Sequence, residues 1–179
     1  RARVVTGSFD LGLAFDGDAD RVFVVDEQGN GLSGSTTTAM LAAAVLRTNP
    51  GATILHNLIC SRAVPEVVRE NGGVPVRTQV GHSYIKQRMA ETGAVFGGEH
   101  SAHYYFTGNY RADSGIIASM MVLEQLCASG LPLSVLEITP DTQVVVLEMG
   151  GAYRYGEITE LAEIARPTIG VVTNVSHSH

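Results

Sequence analysis

The chain has 179 residues, 45% hydrophobic and 17% charged, with a formal net charge of −6. That length accommodates one substantial domain, or one domain plus part of another, and the composition describes a folded globular protein rather than a disordered one. The acidic balance and the lack of a basic run argue against a nucleic-acid surface, and no apolar run is long enough to span a bilayer.

Cys60 and Cys127 are too few and too far apart for a disulfide framework or a zinc site, which points to a reducing, cytoplasmic compartment. No signal peptide is visible, and an opening on Arg1 rather than Met is expected of a piece of a longer protein.

In chain order, residues 1–10 read as a strand or a lead-in to one. The apolar run 11–15 predicts a buried strand, and 22–25 a return strand. A Gly- and Asn-rich turn over 26–31 follows, and Ser35 is the expected N-cap of a helix to about Arg47, ended by Asn49-Pro50-Gly51. Residues 52–55 predict a strand, 63–70 a helix with Pro65 in its first turn, 74–80 extended structure, and 94–96 a short strand.

Gly81-His82-Ser83-Tyr84-Ile85-Lys86 opens a helix, which places backbone N–H groups, His82 and Lys86 at one end as an anion site. In Gly97-Gly98-Glu99-His100-Ser101-Ala102-His103, an extended backbone would project Glu99, Ser101 and His103 from one side, a set able to hold vicinal sugar hydroxyls; a plain polar loop fits equally well. The final helix of this part, over 114–129, has Ile117, Met121, Leu123 and Leu126 as its expected apolar face, with Met120 and Met121 filling core. Strands alternating with helices predict an α/β layer architecture.

The chemistry concentrates between the first two strands, in Asp16-Gly17-Asp18-Ala19-Asp20-Arg21. Three carboxylates this close raise one another's pKa or repel unless a cation joins them. All-oxygen ligands favour Mg²⁺ over zinc, and Arg21 is a fixed cation able to hold a phosphate against the metal. Asp-x-Asp-x-Asp also opens a calcium loop of the EF-hand type, with Glu27 at its twelfth position. The sixth position, however, holds Arg21 where that loop needs Gly. A solvated acidic turn is the other plain reading.

Phe15-Asp16-Gly17-Asp18-Ala19-Asp20-Arg21 resembles the metal loop of the α-D-phosphohexomutases, the phosphomannomutase and phosphoglucomutase superfamily. Gly98-Glu99-His100-Ser101-Ala102-His103 is similar to that family's sugar-binding loop, Gly-Glu-x-Ser-Gly-His. Val80-Gly81-His82-Ser83-Tyr84-Ile85-Lys86 is similar to its Gly-His-Ser/Arg segment near the substrate phosphate.

The resemblance runs over about 9–138. It implies Mg²⁺ on Asp16, Asp18 and Asp20, with Arg21 on the phosphate side. Glu99 and Ser101 would grip sugar hydroxyls, with His82, Lys86 and His103 nearby. Family members move phosphate between O1 and O6 of a hexose through a phosphoserine and a glucose or mannose 1,6-bisphosphate intermediate.

This sequence departs from the family pattern in five ways. Neither the Ser-His-Asn-Pro loop of the phosphoserine nor the C-terminal phosphate-binding loop is among these residues, Ile59 stands where many members have Lys, Ala102 replaces Gly, and Ser33-Gly34-Ser35 lacks a common Asp. The expected organisation is the end of a second mutase domain with the metal loop (1–34), a third domain (35–138), and a separate tail (139–179). Such a chain is not expected to turn over alone.

The tail predicts a strand over 143–149, an amphipathic helix over 156–165 and a strand over 169–175, a βαβ unit. Glu148-Met149-Gly150, Glu163-Ile164-Ala165-Arg166-Pro167 and Thr173-Asn174-Val175 followed by His179 resemble the central domain of the Mur ligases, in which Glu148 and His179 would help bind Mg²⁺. The Gly-Lys-Thr phosphate loop of those ligases is not found in these 179 residues.

The reading is therefore a phosphohexomutase module with a Mur-ligase-like tail, acting on a sugar phosphate rather than on nucleic acid or membrane. A fragment of an ATP-dependent ligase, a non-catalytic fusion and, more weakly, a haloacid-dehalogenase-type phosphatase are the alternatives. Oligomeric state is not indicated.

Overall fold

The structure, a computed structural model, describes residues 1–136. The βαβ unit expected over 143–175, with Glu148 and His179, lies outside the described residues.

Residues 1–10 do not lead in as a strand. They form a short helix, α1 (Ala2–Thr6), whose Val4 is buried against Gly12, where the missing side chain makes room for it. Strands β1 (Leu11–Phe15) and β2 (Val22–Asp26) pair antiparallel, Phe15 facing Val22, so the three aspartates form the tip of a hairpin. Val22 and Val24 are fully buried, but β1 is only half-buried and Phe15 is exposed. The buried strand expected there is only half-buried, because among the described residues β1 pairs with β2 alone.

The turn after β2 is held by Asp26, whose Oδ1 accepts the Gln28 and Asn30 N–H groups at 2.9 and 2.7 Å. Helix α2 (Gly34–Thr48) is capped by Ser33 rather than Ser35. Ser33 has the extended backbone a cap requires, and its Oγ accepts the Thr36 N–H at 3.0 Å. Ser35 lies inside the first turn and is buried.

A five-stranded mixed sheet follows in the order β4-β3-β5-β6-β7. Strand β3 (Thr53–Asn57) runs parallel to β4 (Val74–Thr78) and to β5 (Phe96–Gly98); β6 (Tyr104–Phe106) and β7 (Ala112–Asp113) return antiparallel. Helices α3 (Ala63–Glu70) and α4 (His82–Thr92) make the two crossovers between the parallel strands. Parallel strands joined this way end at one edge of the sheet. The loops after Asn57, Thr78 and Gly98 therefore open side by side, and the site is built from them.

Helix α5 (Gly115–Ser129) is capped by Ser114, whose Oγ accepts the Ile117 N–H at 3.2 Å. Its buried stripe is Ala118, Ser119 and Val122, flanked by Ile117, Met121 and Leu126. Leu123, expected on that face, lies beside it, and Met120 is exposed rather than core. At 100° per residue the stripe centred on 118 and 122 turns position 120 outward. A short helix, α6 (Leu133–Leu136), buries Leu133 in the same core as Val22, Leu41, Phe96 and Tyr104.

Candidate metal and sugar-phosphate site

The hairpin tip is fastened to the sheet at its base. Arg21 and His103 form an antiparallel bridge, and the Gly115 N–H donates to the Ala19 carbonyl at 3.1 Å. Gly115 is required there, because a Cβ would stand 2.6 Å from the Arg21 carbonyl. Ala19 takes φ +60°, which turns the loop so that Asp16, Asp18 and Asp20 each bring a carboxylate oxygen within 4.8 Å of the others.

Arg21 neutralises part of this charge. Its Nε donates to Asp16 Oδ2 at 2.7 Å and lies 3.9 Å from Asp20 Oδ1. The hydrogen bond from Arg21 holds the Asp16 carboxyl below the usual carboxylate range. Burial pushes Asp20 the other way, an effect that the charge of His103 opposes and those of Asp18 and Asp16 reinforce.

Asp20 Oδ1 is buried and has no hydrogen-bond partner among the described residues. An orphaned carboxylate oxygen among three hard oxygen donors, with one Arg to offset them, fits a divalent cation such as Mg²⁺.

The segment 99–103 is not extended, as the alternation of Glu99, Ser101 and His103 had implied. It is a tight turn, closed by Glu99 N–H to the His103 carbonyl at 3.0 Å and by Ala102 N–H to the Glu99 carbonyl at 3.1 Å. Ala102 sits at φ +69°, the left-handed conformation that favours glycine, so the side chains do not share one face. Glu99 points inward and is 2% exposed, whereas Ser101 is exposed.

Three donors hold the Glu99 carboxylate. Oε1 accepts from Asn57 Nδ2 at 3.2 Å and from the Gly81 N–H at 3.1 Å, and Oε2 accepts from the Tyr105 hydroxyl at 2.8 Å. Asn57 ends β3, Gly81 precedes α4 and Tyr105 lies in β6, so one buried carboxylate ties three loops of the site together. The start of α4 was expected to hold an anion, and here the Gly81 N–H already holds Glu99.

His103 stands between the two acidic groups. Its Nδ1 hydrogen-bonds Ser101 Oγ at 3.0 Å and lies 3.6 Å from Glu99 Oε2, and its Nε2 lies 3.7 Å from Asp20 Oδ1. Lys86 pairs with Asp113 at 3.0 Å and lies 5.8 Å from the centre of the Tyr105 ring. His82, at the start of α4, is exposed.

Asp16, Asp18, Asp20, Arg21, Glu99, Ser101 and His103 are thus gathered by contacts among them, with Lys86 joined through Asp113. Asn57, Tyr105 and Asp113 join this set without having been marked out by the sequence, as does Ser35, whose Oγ accepts the Ser61 N–H at 3.0 Å and bonds His100 Nδ1 at 2.9 Å. An acidic residue directly before a helix cap was the available signal for Asp113; nothing in the sequence pattern distinguished the others.

Residues 33–139 match the model of phosphoglucomutase/phosphomannomutase α/β/α domain III, and residues 122–179 match the Mur ligase middle domain. The chain is 43% identical over 127 residues to a phosphomannomutase of Escherichia coli K12, covering 71% of this chain and 28% of that protein. A crystal structure of a phosphoglucomutase/phosphomannomutase family protein from Burkholderia thailandensis superposes with a TM-score of 0.72 at 36% identity, over 75% of this chain and 30% of that one. The Aspergillus fumigatus N-acetylphosphoglucosamine mutase, solved in complex with GlcNAc-6P and magnesium, shares the fold with a TM-score of 0.52 at 13% identity, over 69% of this chain and 34% of that one.

The chain therefore spans under a third of the length of the first two of these relatives. On the match over 33–139, which is more than half of its residues, it belongs to the phosphoglucomutase/phosphomannomutase family.

Proposed function

We propose that this chain is the metal-loop and sugar-binding module of a phosphohexomutase, a cytoplasmic enzyme that moves phosphate between O1 and O6 of a hexose. The observation that supports this is the backbone bridge joining the aspartate loop at Arg21 to the 99–103 turn at His103, which sets three clustered carboxylates beside Glu99 and Ser101. The boundaries that go with it are 1–34 for the end of a second domain, 35–138 for the third domain and 139–179 for the ligase-like tail.

In this reading Asp16, Asp18 and Asp20 hold Mg²⁺, which when bound supplies charge neutralisation for a phosphoryl group carried by a serine elsewhere in the full enzyme. Arg21, anchored through Nε by Asp16, directs positive charge toward that phosphoryl group. Ser101 and Glu99 take the sugar hydroxyls. Two donors occupy Glu99 Oε1 and one occupies Oε2, so a carboxylate with about four acceptor positions keeps one free on the His103 side. His82 and Lys86 supply cations at the substrate's phosphate, and a glucose or mannose 1,6-bisphosphate is the intermediate. The GlcNAc-6P and magnesium held by the Aspergillus mutase support the ligand class.

Calorimetric titration of the full chain with Mg²⁺ in the presence of glucose 1,6-bisphosphate tests this. Binding that Asp18→Ala abolishes and Glu148→Gln leaves intact is expected; the reverse pattern would refute it. The match over 122–179 favours a second reading, a piece of a Mur-type ligase with Glu148 and His179 on the cation, and that reverse pattern is its signature.

A further inference from the structure

Asp20 belongs to two ligand sets. One is the all-oxygen loop. The other is Asp20, His103 and Asp113, whose ligand atoms also lie within 4.8 Å of one another. They come from the hairpin tip, the sugar loop and β7, and all three are half-buried.

The orientation of His103 adds an independent observation. Its Nδ1 is held by the Ser101 hydroxyl and faces the buried carboxylate of Glu99, the outer-sphere arrangement that fixes a metal-binding imidazole with its proton on Nδ1. With the proton on Nδ1, the Nε2 lone pair faces Asp20 Oδ1 at 3.7 Å, beyond hydrogen-bond reach, and Asp20 Oδ1 is a buried oxygen without a hydrogen-bond partner among the described residues. In that tautomer two lone-pair-bearing atoms face each other, a repulsion that a metal cation between them relieves, with a proton on Nε2 as its competitor.

The backbone around them is locked by the Arg21–His103 bridge and by the packing of Gly115 on Arg21. The site is thus preorganised, and an imidazole nitrogen with two carboxylates suits Zn²⁺ or Co²⁺ better than Mg²⁺.

We infer that Asp20, His103 and Asp113 form a second, mixed nitrogen–oxygen site for a borderline divalent transition metal, overlapping the Mg²⁺ site through Asp20. Occupancy would take Asp20 from the all-oxygen loop and immobilise His103, so Zn²⁺ would exclude Mg²⁺ competitively. That competition rests on the function proposed above; the mixed site itself does not. Lys86, whose Nζ pairs with Asp113 at 3.0 Å, is the built-in competitor for the metal.

The test is titration of the full chain with Co²⁺ alone, followed by its visible absorption and by calorimetry, with Zn²⁺ as displacing ion. His103→Gln and Asp113→Asn are expected to abolish the spectrum, Glu99→Gln to weaken binding by about 10–100-fold as loss of an outer-sphere partner does, and Asp18→Ala to leave it unchanged. Dependence on His103 separates this site from His177 and His179 of the tail.

Should the ligand variants fail to fold by circular dichroism, Lys86→Met decides, because removing the competing ammonium must tighten Co²⁺ binding. No Co²⁺ binding, binding lost in Asp18→Ala but kept in His103→Gln, or no gain in Lys86→Met would each overturn the inference. Co²⁺ binding that depends on His103 in a chain that ignores Mg²⁺ and glucose 1,6-bisphosphate would remove the proposed function and leave this site standing.

Discussion

Glu99 shows how much one side chain can organise. A buried carboxylate is costly unless its oxygens are satisfied, and here the donors come from the end of β3, the residue before α4 and β6, so satisfying the charge also sets the spacing of the site. Tyr105→Phe removes one of these donors without creating a large void. It is expected to lower unfolding free energy by about 1–3 kcal/mol, the cost of under-satisfying a buried charged acceptor, measured by urea denaturation. An unchanged midpoint would show that water replaces the hydroxyl at no cost.

Ala102 is the opposite case, a residue in a conformation it does not favour. At φ +69°, strain of about 1–2 kcal/mol offsets what a buried methyl contributes. Ala102→Gly should therefore be nearly neutral, whereas Ala118→Gly, equally buried but inside a helix, should cost about 1–2 kcal/mol. Equal losses at the two positions would contradict the assignment of strain.

Among the elements, α2 carries the 99–103 turn on its own first turn. Gly34 lies so close to the turn that an added Cβ would stand 2.1 Å from the His100 carbonyl oxygen, and the next residue, Ser35, bonds the His100 ring. Gly34→Ala must push backbone away from backbone. It is expected to cost about 3 kcal/mol or more, in the range of core overpacking, and to weaken sugar-phosphate binding as the turn moves; retention of both stability and binding would show that the contact relaxes freely.

The role of this glycine was not legible in the sequence, where Ser33-Gly34-Ser35 read as a loop and cap. The distinction between Ser33 and Ser35 is a matter of one residue's backbone conformation, which neighbouring serines do not reveal. The helix over 63–70 and the hairpin around the aspartates were legible, because Pro65, the Asn-Gly stop and the paired apolar runs are local signals. The turn at 99–103 was misread as extended because its geometry is fixed by tertiary contacts: Glu99 is drawn inward by Asn57 and Tyr105, distant from it in the chain or on another strand.

At the scale of the whole molecule, stability is tied to pH through two histidines, His56 of β3 and His100 of the turn after β5. Burial pushes both His56 and His100 below the ordinary histidine pKa of 6.5. His56 is 6% exposed and its Nδ1 lies 3.2 Å from the Asn57 carbonyl, while the charges of Arg77 and Arg69 disfavour a further cation there. The folded state therefore holds these rings neutral, and the unfolded chain takes up the protons first as pH falls.

Because the unfolded state binds more protons between the ordinary and the depressed pKa, stability is complete above about pH 6.5, is lost progressively as pH falls below that value, and levels off once the folded rings are protonated too. The carboxyl of Asp16, held low by Arg21, adds a loss only at more acidic pH, and the raised Asp20 acts in the opposite sense, so the interval just below pH 6.5 reports the histidines. Urea midpoints measured between about pH 7.5 and pH 5 should decline, and His56→Gln should flatten part of that slope while lowering the plateau above it. A midpoint constant across this interval would mean that both rings accept a proton in the folded chain, and that the sheet edge opens to water without unfolding.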